Sequence, residues 1–323
     1  MTQTARAGFG HDTTAAEVIE GIDLTGKLAL VTGGTSGLGV ETARALASAG
    51  ADVVVTARDI PKGEGVAAEI RASTGNDAVS VAELELASME SIRAFAKQFL
   101  AEHDALHILV NNAGVMASPH MQTQDGFELQ FGTNHVGHFL LTNLLMPALL
   151  NGTPSRVVSL SSRGHHFSPV VFGDIQFENR EYDKWLSYGQ SKTANILFAV
   201  ELDRRYGDNG VHAYAVHPGG IMTELGRHLT EEDRERIRSR SDTFVWKTIP
   251  QGAATSVYAA TAPELERRGG IYLEDCHVAE INDAEDAING VKSYAVDGGG
   301  ARTLWEISEE LVGEKFPSRG RPE

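Results

Sequence analysis

Apolar residues in this chain gather into short unbroken runs, and most runs are followed by a stretch of helical length. Leu28-Ala29-Leu30-Val31 is closed by glycines, and residues 40–49 read as a helix. Val53-Val54-Val55 is β-branched and suits a strand; residues 61–72 are helical and 79–84 extended. Residues 88–102 form a further predicted helix, with Ile92, Phe95 and Phe99 at helical spacing. Residues 107–110, 156–160 and 211–216 are strands again. Continuously apolar strands separated by helix-length segments imply a mostly parallel central sheet with helices on both faces, the doubly wound α/β class. No linker, repeat or low-complexity tract interrupts the alternation, so one domain over residues 26–315 is expected. It lies between an N-terminal extension (1–25, with the amphipathic TTAAEVIEGIDL) and a C-terminal tail (316–323).

Two segments break the rhythm. Residues 163–185 are aromatic-rich and aperiodic, and residues 221–250 contain a charged helix opened by Thr230-Glu231-Glu232-Asp233, a capping box with Asp in the Glu position. Both follow strands at their carboxyl ends, where open α/β sheets bind ligands. Residues 221–250 are therefore expected to form a small helical substrate lid.

Composition narrows the partners. The 28 basic against 44 acidic side chains give a formal charge of −16, which argues against nucleic acid or an anionic membrane as partner. Cys276 is the single cysteine, so no intramolecular disulfide can form. The opening residues have no signal-peptide pattern, and FLLTNLLMPALL is too short and polar-interrupted to span a bilayer, so a cytoplasmic protein is expected.

The glycine turn Thr32-Gly33-Gly34-Thr35-Ser36-Gly37-Leu38-Gly39 stands between the first strand and the first helix. There, backbone N–H groups and the positive helix end can face a phosphate, and side chains would block the approach. The spacing is neither G-x-G-x-x-G nor a phosphate-loop NTPase motif; its setting points to a dinucleotide. The second strand ends Thr56-Ala57-Arg58-Asp59. Ala57 takes the place where an acid would bind a free ribose hydroxyl, leaving Arg58 for a 2′-phosphate. NADP is the expected cofactor, and Asp59 keeps NAD as the alternative.

In LSYGQSKTANILF, Tyr188 and Lys192 stand four apart and share one helix face. Ile196, Leu197, Phe198, Val200 and Leu202 point nearly all round that helix, so it is buried on several sides, by core or by a partner subunit.

Together with Asn111-Asn112-Ala113-Gly114, TNHVGHFLLTNLL, VVSLSSRGHH, HPGG and LEDCHVAE, these features resemble the short-chain dehydrogenase/reductase family. The likeness runs from about residue 20 to 315 and is strongest to the retinol-dehydrogenase-like branch, which includes the WW-domain-containing oxidoreductases. It implies a Rossmann domain, a homo-oligomer, and Asn134, Ser162, Tyr188 and Lys192 as catalytic residues. Tyr188 would be the general acid/base and Ser162 would hold the substrate oxygen. Lys192, together with the positive charge of an oxidised nicotinamide, would lower the Tyr188 pKa; it would also bind the ribose, and Asn134 would complete a proton relay. The implied cofactor contacts are Gly33, Thr35, Ser36, Gly37, Leu38, Gly39, Arg58, Asn112, Ala113, Gly114, Tyr188, Lys192, Pro218, Gly219, Ile221 and Thr223. Glu85 and Leu86 join them where the family usually has an aspartate touching the adenine.

The implied reaction interconverts an alcohol and a carbonyl. Phe167, Phe172, Phe177, Trp185, Phe244 and Trp246, in the two irregular segments, suggest an apolar alcohol, aldehyde or ketone. Many retinol-active relatives carry an N-terminal anchor not evident here, so retinoid specificity is not carried over. The rivals are a C=C reductase of the same fold and a non-catalytic dinucleotide sensor. No metal site is expected, since His135 and His138 lack a carboxylate partner and read as core or loop residues. His165-His166 are placed to line the cleft or simply to serve the loop. Arg234, Arg236, Arg238 and Arg240 read as a solvated face. Cys276, expected on an extended segment, has only His277 beside it and is no evident nucleophile.

Overall fold

The computed structural model describes residues 8–238 and 245–317. Eight strands form one sheet in the order β3-β2-β1-β4-β5-β6-β7-β8. These are β1 (Leu28–Val31), β2 (Asp52–Ala57), β3 (Val79–Glu83), β4 (Ile108–Asn111), β5 (Ser155–Leu160), β6 (Val211–His217), β7 (Ile271–Glu274) and β8 (His277–Val278). The first seven are parallel, and β8 turns back antiparallel on β7. The chain steps outward from β1 to β2 to β3, then returns so that β4 pairs with the other side of β1. Connections leaving β1 and β4 therefore diverge, and a crevice opens between their carboxyl ends.

Alternation along β1 sorts the two cores. Leu28 and Leu30 face one way, packing with Phe95, Phe99 and Phe139; Ala29 and Val31 face the other, packing with Ala43, Leu46 and Val257. The second layer holds α1 (Ala15–Ile19), α2 (Gly37–Ser48), α3 (Ile60–Thr74) and α10 (Ile249–Thr261). The first holds α4 (Met89–Glu102), α5 (Leu129–Phe131), α6 (Gly137–Leu144), α7 (Met146–Asn151), α8 (Lys184–Tyr206) and α11 (Gly298–Val312). A π-helical turn, Gly132–Val136, joins α5 to α6. The charged helix of the irregular segment is α9 (Glu231–Arg238), and Thr230 and Asp233 exchange the two bonds of the expected capping box.

Helix α8 settles where its apolar surface goes. Asp183 caps it by accepting from Trp185 N and Leu186 N at 2.8 Å. Ile196, Leu197, Phe198 and Leu202 are all buried inside this chain, because α11 lies across them. Trp305 of α11 stacks on Phe198 (6.0 Å between centroids, 16° between planes) and meets Phe139 edge-on at 4.9 Å. The pattern of periods did not reveal α11, because it opens with Gly298-Gly299-Gly300, the poorest helix formers after proline. The Asp297 side chain, accepting from Gly300 N at 2.6 Å, starts the helix instead. Cys276 is a correction. With Asp275 it forms the left-handed turn between β7 and β8 (φ 46° and 59°), and burial pushes its thiol up to about 11. An extended segment there would not let the edge hairpin close in two residues.

Trp305→Ala should cost about 3–5 kcal/mol in urea unfolding, since a fully buried indole leaves a cavity across α8 and α11. A loss below about 1 kcal/mol would mean that α11 does not hold α8.

Candidate active site

The crevice at the switch point is pinned by one hydroxyl. Thr32, just after β1, accepts from Asn112 N at 2.9 Å and Ala113 N at 3.0 Å, and so ties the turn after β4 to the turn after β1. Asn112 returns the bond, its Nδ2 donating to Thr32 O at 2.8 Å and to Gly33 O at 3.3 Å. A Cβ on Gly39 would stand 2.4 Å from Gly33 O, and one on Gly33 would stand 2.9 Å from Ala113 Cα. Gly33 and Gly37 also hold φ of +64° and +54°. Ser36 precedes α2 without a side-chain cap, so the first N–H groups of that helix point outward unshielded. A glycine-lined cradle beneath an uncapped helix N-terminus fits a dinucleotide phosphate.

The cradle opens into a cavity of about 1110 Å³. Every residue expected to contact cofactor or to be catalytic lines it except Gly39, which packs beneath the turn, and Asn134, which lies one layer behind. Ala57 ends β2 buried, and Arg58 beyond it stands 3.4 Å from Glu85, its side chain 67% exposed. Asp59 is already engaged, since it caps α3 by accepting from Lys62 N at 3.0 Å. The far wall is the segment after β6, where Pro218, Gly219, Ile221 and Thr223 face the glycine turn. Gly252 makes room there, as a Cβ would meet Ile221 Cγ1 at 2.6 Å and Leu38 Cδ2 at 2.8 Å.

Tyr188 and Lys192 form the polar floor, both buried on one face of α8. Lys192 Nζ donates to Leu160 O at 3.0 Å and lies 5.6 Å from the Tyr188 ring centroid. Burial lowers its ammonium from 10.5 to about 8. Ser162 caps a 3-10 turn (Arg163–Phe167) by accepting from Gly164 N at 3.0 Å, and its hydroxyl lies on the Tyr188 side of that turn, where it favours the phenolate. Asn134, in the π-helical turn, accepts from Val115 N at 2.8 Å and donates to Val115 O and Ser191 Oγ at 2.9 Å. Asn134 Oδ1 and Lys192 Nζ both flank Gly114, within 3.1 and 3.8 Å of where its Cβ would be.

In the protein alone, burial dominates at Tyr188 and pushes the phenol up to about 12, opposed by Ser162, so the expected lowering calls for the charge of an oxidised nicotinamide beside that of Lys192. Lys192 spends one donor on the Leu160 carbonyl, and desolvation of a phenolate exceeds what an ammonium at that distance returns.

Sequence reasoning missed the residues that make room. A Cβ on Gly164 would hit Tyr188 Cε1 at 2.7 Å, and one on Gly189 would hit Gly164 O at 2.8 Å. The usable signal was a glycine immediately after the tyrosine. His138 was also underrated: its ring lies 2.9 Å from Thr32 Oγ1 and 3.0 Å from Asn134 O, joining the pinning hydroxyl to the π-helical turn. His135 pairs with Ser308 Oγ at 2.7 Å in the core. His166 lines the cavity, whereas His165 is buried beneath it against Ser162 O. Of the aromatics, Phe167, Trp185 and Trp246 line the cavity, Phe172 packs on the core, and Phe177 lies under the Arg180 guanidinium. Arg234 donates to Gly226 O at 3.2 Å. Arg240, Phe244 and the side chains of Arg236 and Arg238 lie outside the described residues. Among the described residues, no helix is long and apolar enough to cross a membrane.

Similarity to known proteins extends over most of the chain. The short chain dehydrogenase family profile matches residues 27–234. Retinol dehydrogenase 11 of Homo sapiens is 46% identical over 292 residues, covering 90% of this chain and 87% of that protein. Short-chain dehydrogenase/reductase prx1 of Penicillium roqueforti is 42% identical over 309 residues, covering 93% and 90%. The crystal structure of an uncharacterized protein from Mycobacterium paratuberculosis is 35% identical, with a TM-score of 0.72 over 95% of this chain and 99% of that one.

The buried ammonium predicts a pH signature. An unfolded lysine keeps its proton up to about pH 10.5, whereas the folded one releases it near 8, so this group makes stability rise with pH across that window. Below the window both states are charged and the folded state bears the full burial cost. Lys192→Met should therefore be stabilised relative to wild type near neutral pH, and that advantage should shrink by about 3 kcal/mol toward pH 10.5. Urea unfolding of both proteins along this range is the check; a pH-independent difference would refute the buried charge.

Proposed function

We propose that this chain, which belongs to the short-chain dehydrogenase family, is an NADP(H)-dependent enzyme interconverting apolar alcohols with aldehydes or ketones. The carrying observation is the Tyr188 phenol, buried against Ser162 and one helical turn from Lys192, on the floor of the cavity that the glycine cradle opens into. Bound nicotinamide would supply the two-electron chemistry, and the residues of the floor would manage the proton.

A phenol held near 12 is protonated at neutral pH, so Tyr188 stands ready to donate to a carbonyl oxygen. Ser162 Oγ already accepts from Gly164 N, which leaves its own proton to donate to that same oxygen. Lys192 keeps two N–H donors beyond the one given to Leu160 O; these would bind the ribose and return the proton. Asn134, held rigid by Val115 and Ser191, would complete the relay toward solvent. For alcohol oxidation Tyr188 must act as a base, which requires a second positive charge beside it. Bound oxidised nicotinamide would supply that charge, so the same floor serves both directions.

Phe167, Trp185 and Trp246 give the substrate end an apolar wall, and Ile288, 64% exposed, extends it to the rim. Residues 221–250 would close over this end as the lid. Relatives named retinol dehydrogenases support an apolar alcohol or aldehyde as the substrate class. A turnover screen of apolar aldehydes, ketones and alcohols, retinol among them, with both phosphorylated and unphosphorylated nicotinamides tests the reading. Absence of turnover with every pair would overturn it.

Tyr188→Phe keeps the ring and removes only the hydroxyl. Dinucleotide binding should persist while kcat falls by about 10²-fold or more; near-normal kcat would remove Tyr188 from the proton path. Arg58 should select the phosphorylated cofactor, with a preference of about tenfold because its exposed guanidinium is screened by salt. Ala57→Asp with Arg58→Ile should reverse the ratio of kcat/KM for NADPH and NADH at fixed salt. If the ratio stays where it was, Arg58 is not the selector.

A further inference from the structure

The segment that follows β6 begins against the glycine turn. Thr223 opens a 3-10 turn, Glu224–His228, and its methyl would lie 3.2 Å from a Cβ on Gly37, so this turn rests on the glycine turn. Glu224 Oε2 stands 3.5 Å from Lys62 Nζ, on the first turn of α3 just beyond Arg58. The contact parks the 3-10 turn above the end of β2. Arg234 steadies it from α9 through Gly226 O. Arg227 follows on the same turn and lines the same cavity as Thr35, Ser36, Arg58 and Lys62.

The charges at this edge are unevenly matched. Arg58 has Glu85, and Lys62 has Glu224. Arg227 has no hydrogen-bonded or ion-paired partner among the described residues, and after burial the Arg58 charge is the main influence pushing its guanidinium down, with Glu224 opposing. Two guanidiniums turned toward one edge repel unless an anion lies between them. A phosphomonoester of about −1.5 to −2 charges fits that demand, and guanidinium forks match its oxygens in paired hydrogen bonds.

We infer that Arg227 is a second recognition residue for the 2′-phosphate of the dinucleotide, reaching it from the lid side while Arg58 reaches it from the sheet side. This rests on the reading that NADP is the cofactor. The phosphate that selects the cofactor would thus join the 3-10 turn to the end of β2, alongside the Glu224–Lys62 contact already present.

The test uses the full chain with Arg227→Gln and Arg227→Lys, titrated by calorimetry with 2′,5′-ADP and with 5′-AMP at one low salt concentration. KM for NADPH and NADH is measured alongside. Arg227→Gln should weaken 2′,5′-ADP by about tenfold and leave 5′-AMP unchanged. Arg227→Lys, which keeps the charge but loses the fork, should recover part of the loss. Unchanged affinity for 2′,5′-ADP in Arg227→Gln overturns the inference. An equal loss for NADPH and NADH also overturns it, since that pattern assigns Arg227 to the bridging diphosphate or to the fold. Wild type binding 2′,5′-ADP no better than 5′-AMP would sink the NADP reading itself, a failure visible before any variant is made.

Discussion

The Thr32 hydroxyl, receiving two amides from the turn after β4, is the interaction on which the rest of the site depends. Sheet topology sends the connections after β1 and β4 to opposite faces, and only a short polar clamp can keep their first residues together. The clamp fixes Asn112 over the glycine turn, which sets the start of α2. Through the His138 ring it also reaches the backbone of Asn134, and Asn134 closes on Val115 and on Ser191 of α8. A dinucleotide cradle and a buried phenol–ammonium pair are thus parts of one hydrogen-bonded assembly rather than two sites that happen to adjoin.

That assembly shifts both reactive groups toward their neutral forms. Burial raises the phenol and lowers the ammonium, so each neutral form becomes easier to reach than it is in solvent. Keeping them buried costs stability, and the helix that carries them is compensated elsewhere. Its far half is covered by Trp305, Phe139 and Phe316, an aromatic cluster remote from the chemistry. The small residues tell the same story at short range. Gly164 and Gly189 let the 3-10 turn after β5 lie against the Tyr188 ring, close enough for Ser162 to reach the phenol.

Much of this was legible along the chain. The apolar runs of β1 to β6 and the periods of α2, α3 and α4 follow from each residue's preference within a few neighbours, so their order already implied a doubly wound sheet and a crevice beside the glycine turn. The four-residue spacing of Tyr188 and Lys192 put both on one helix face for the same local reason. Tertiary structure alone decided the rest. It set the direction of the Tyr188 shift, because desolvation depends on atoms brought from β5, α8 and the 163–167 turn. It also decided what covers α8, and which cations meet at the adenosine edge, where Arg58 and Arg227 stand far apart in sequence. Local periodicity is written in nearest neighbours; burial and charge are sums over whatever the fold brings near, and no short window of sequence contains those terms.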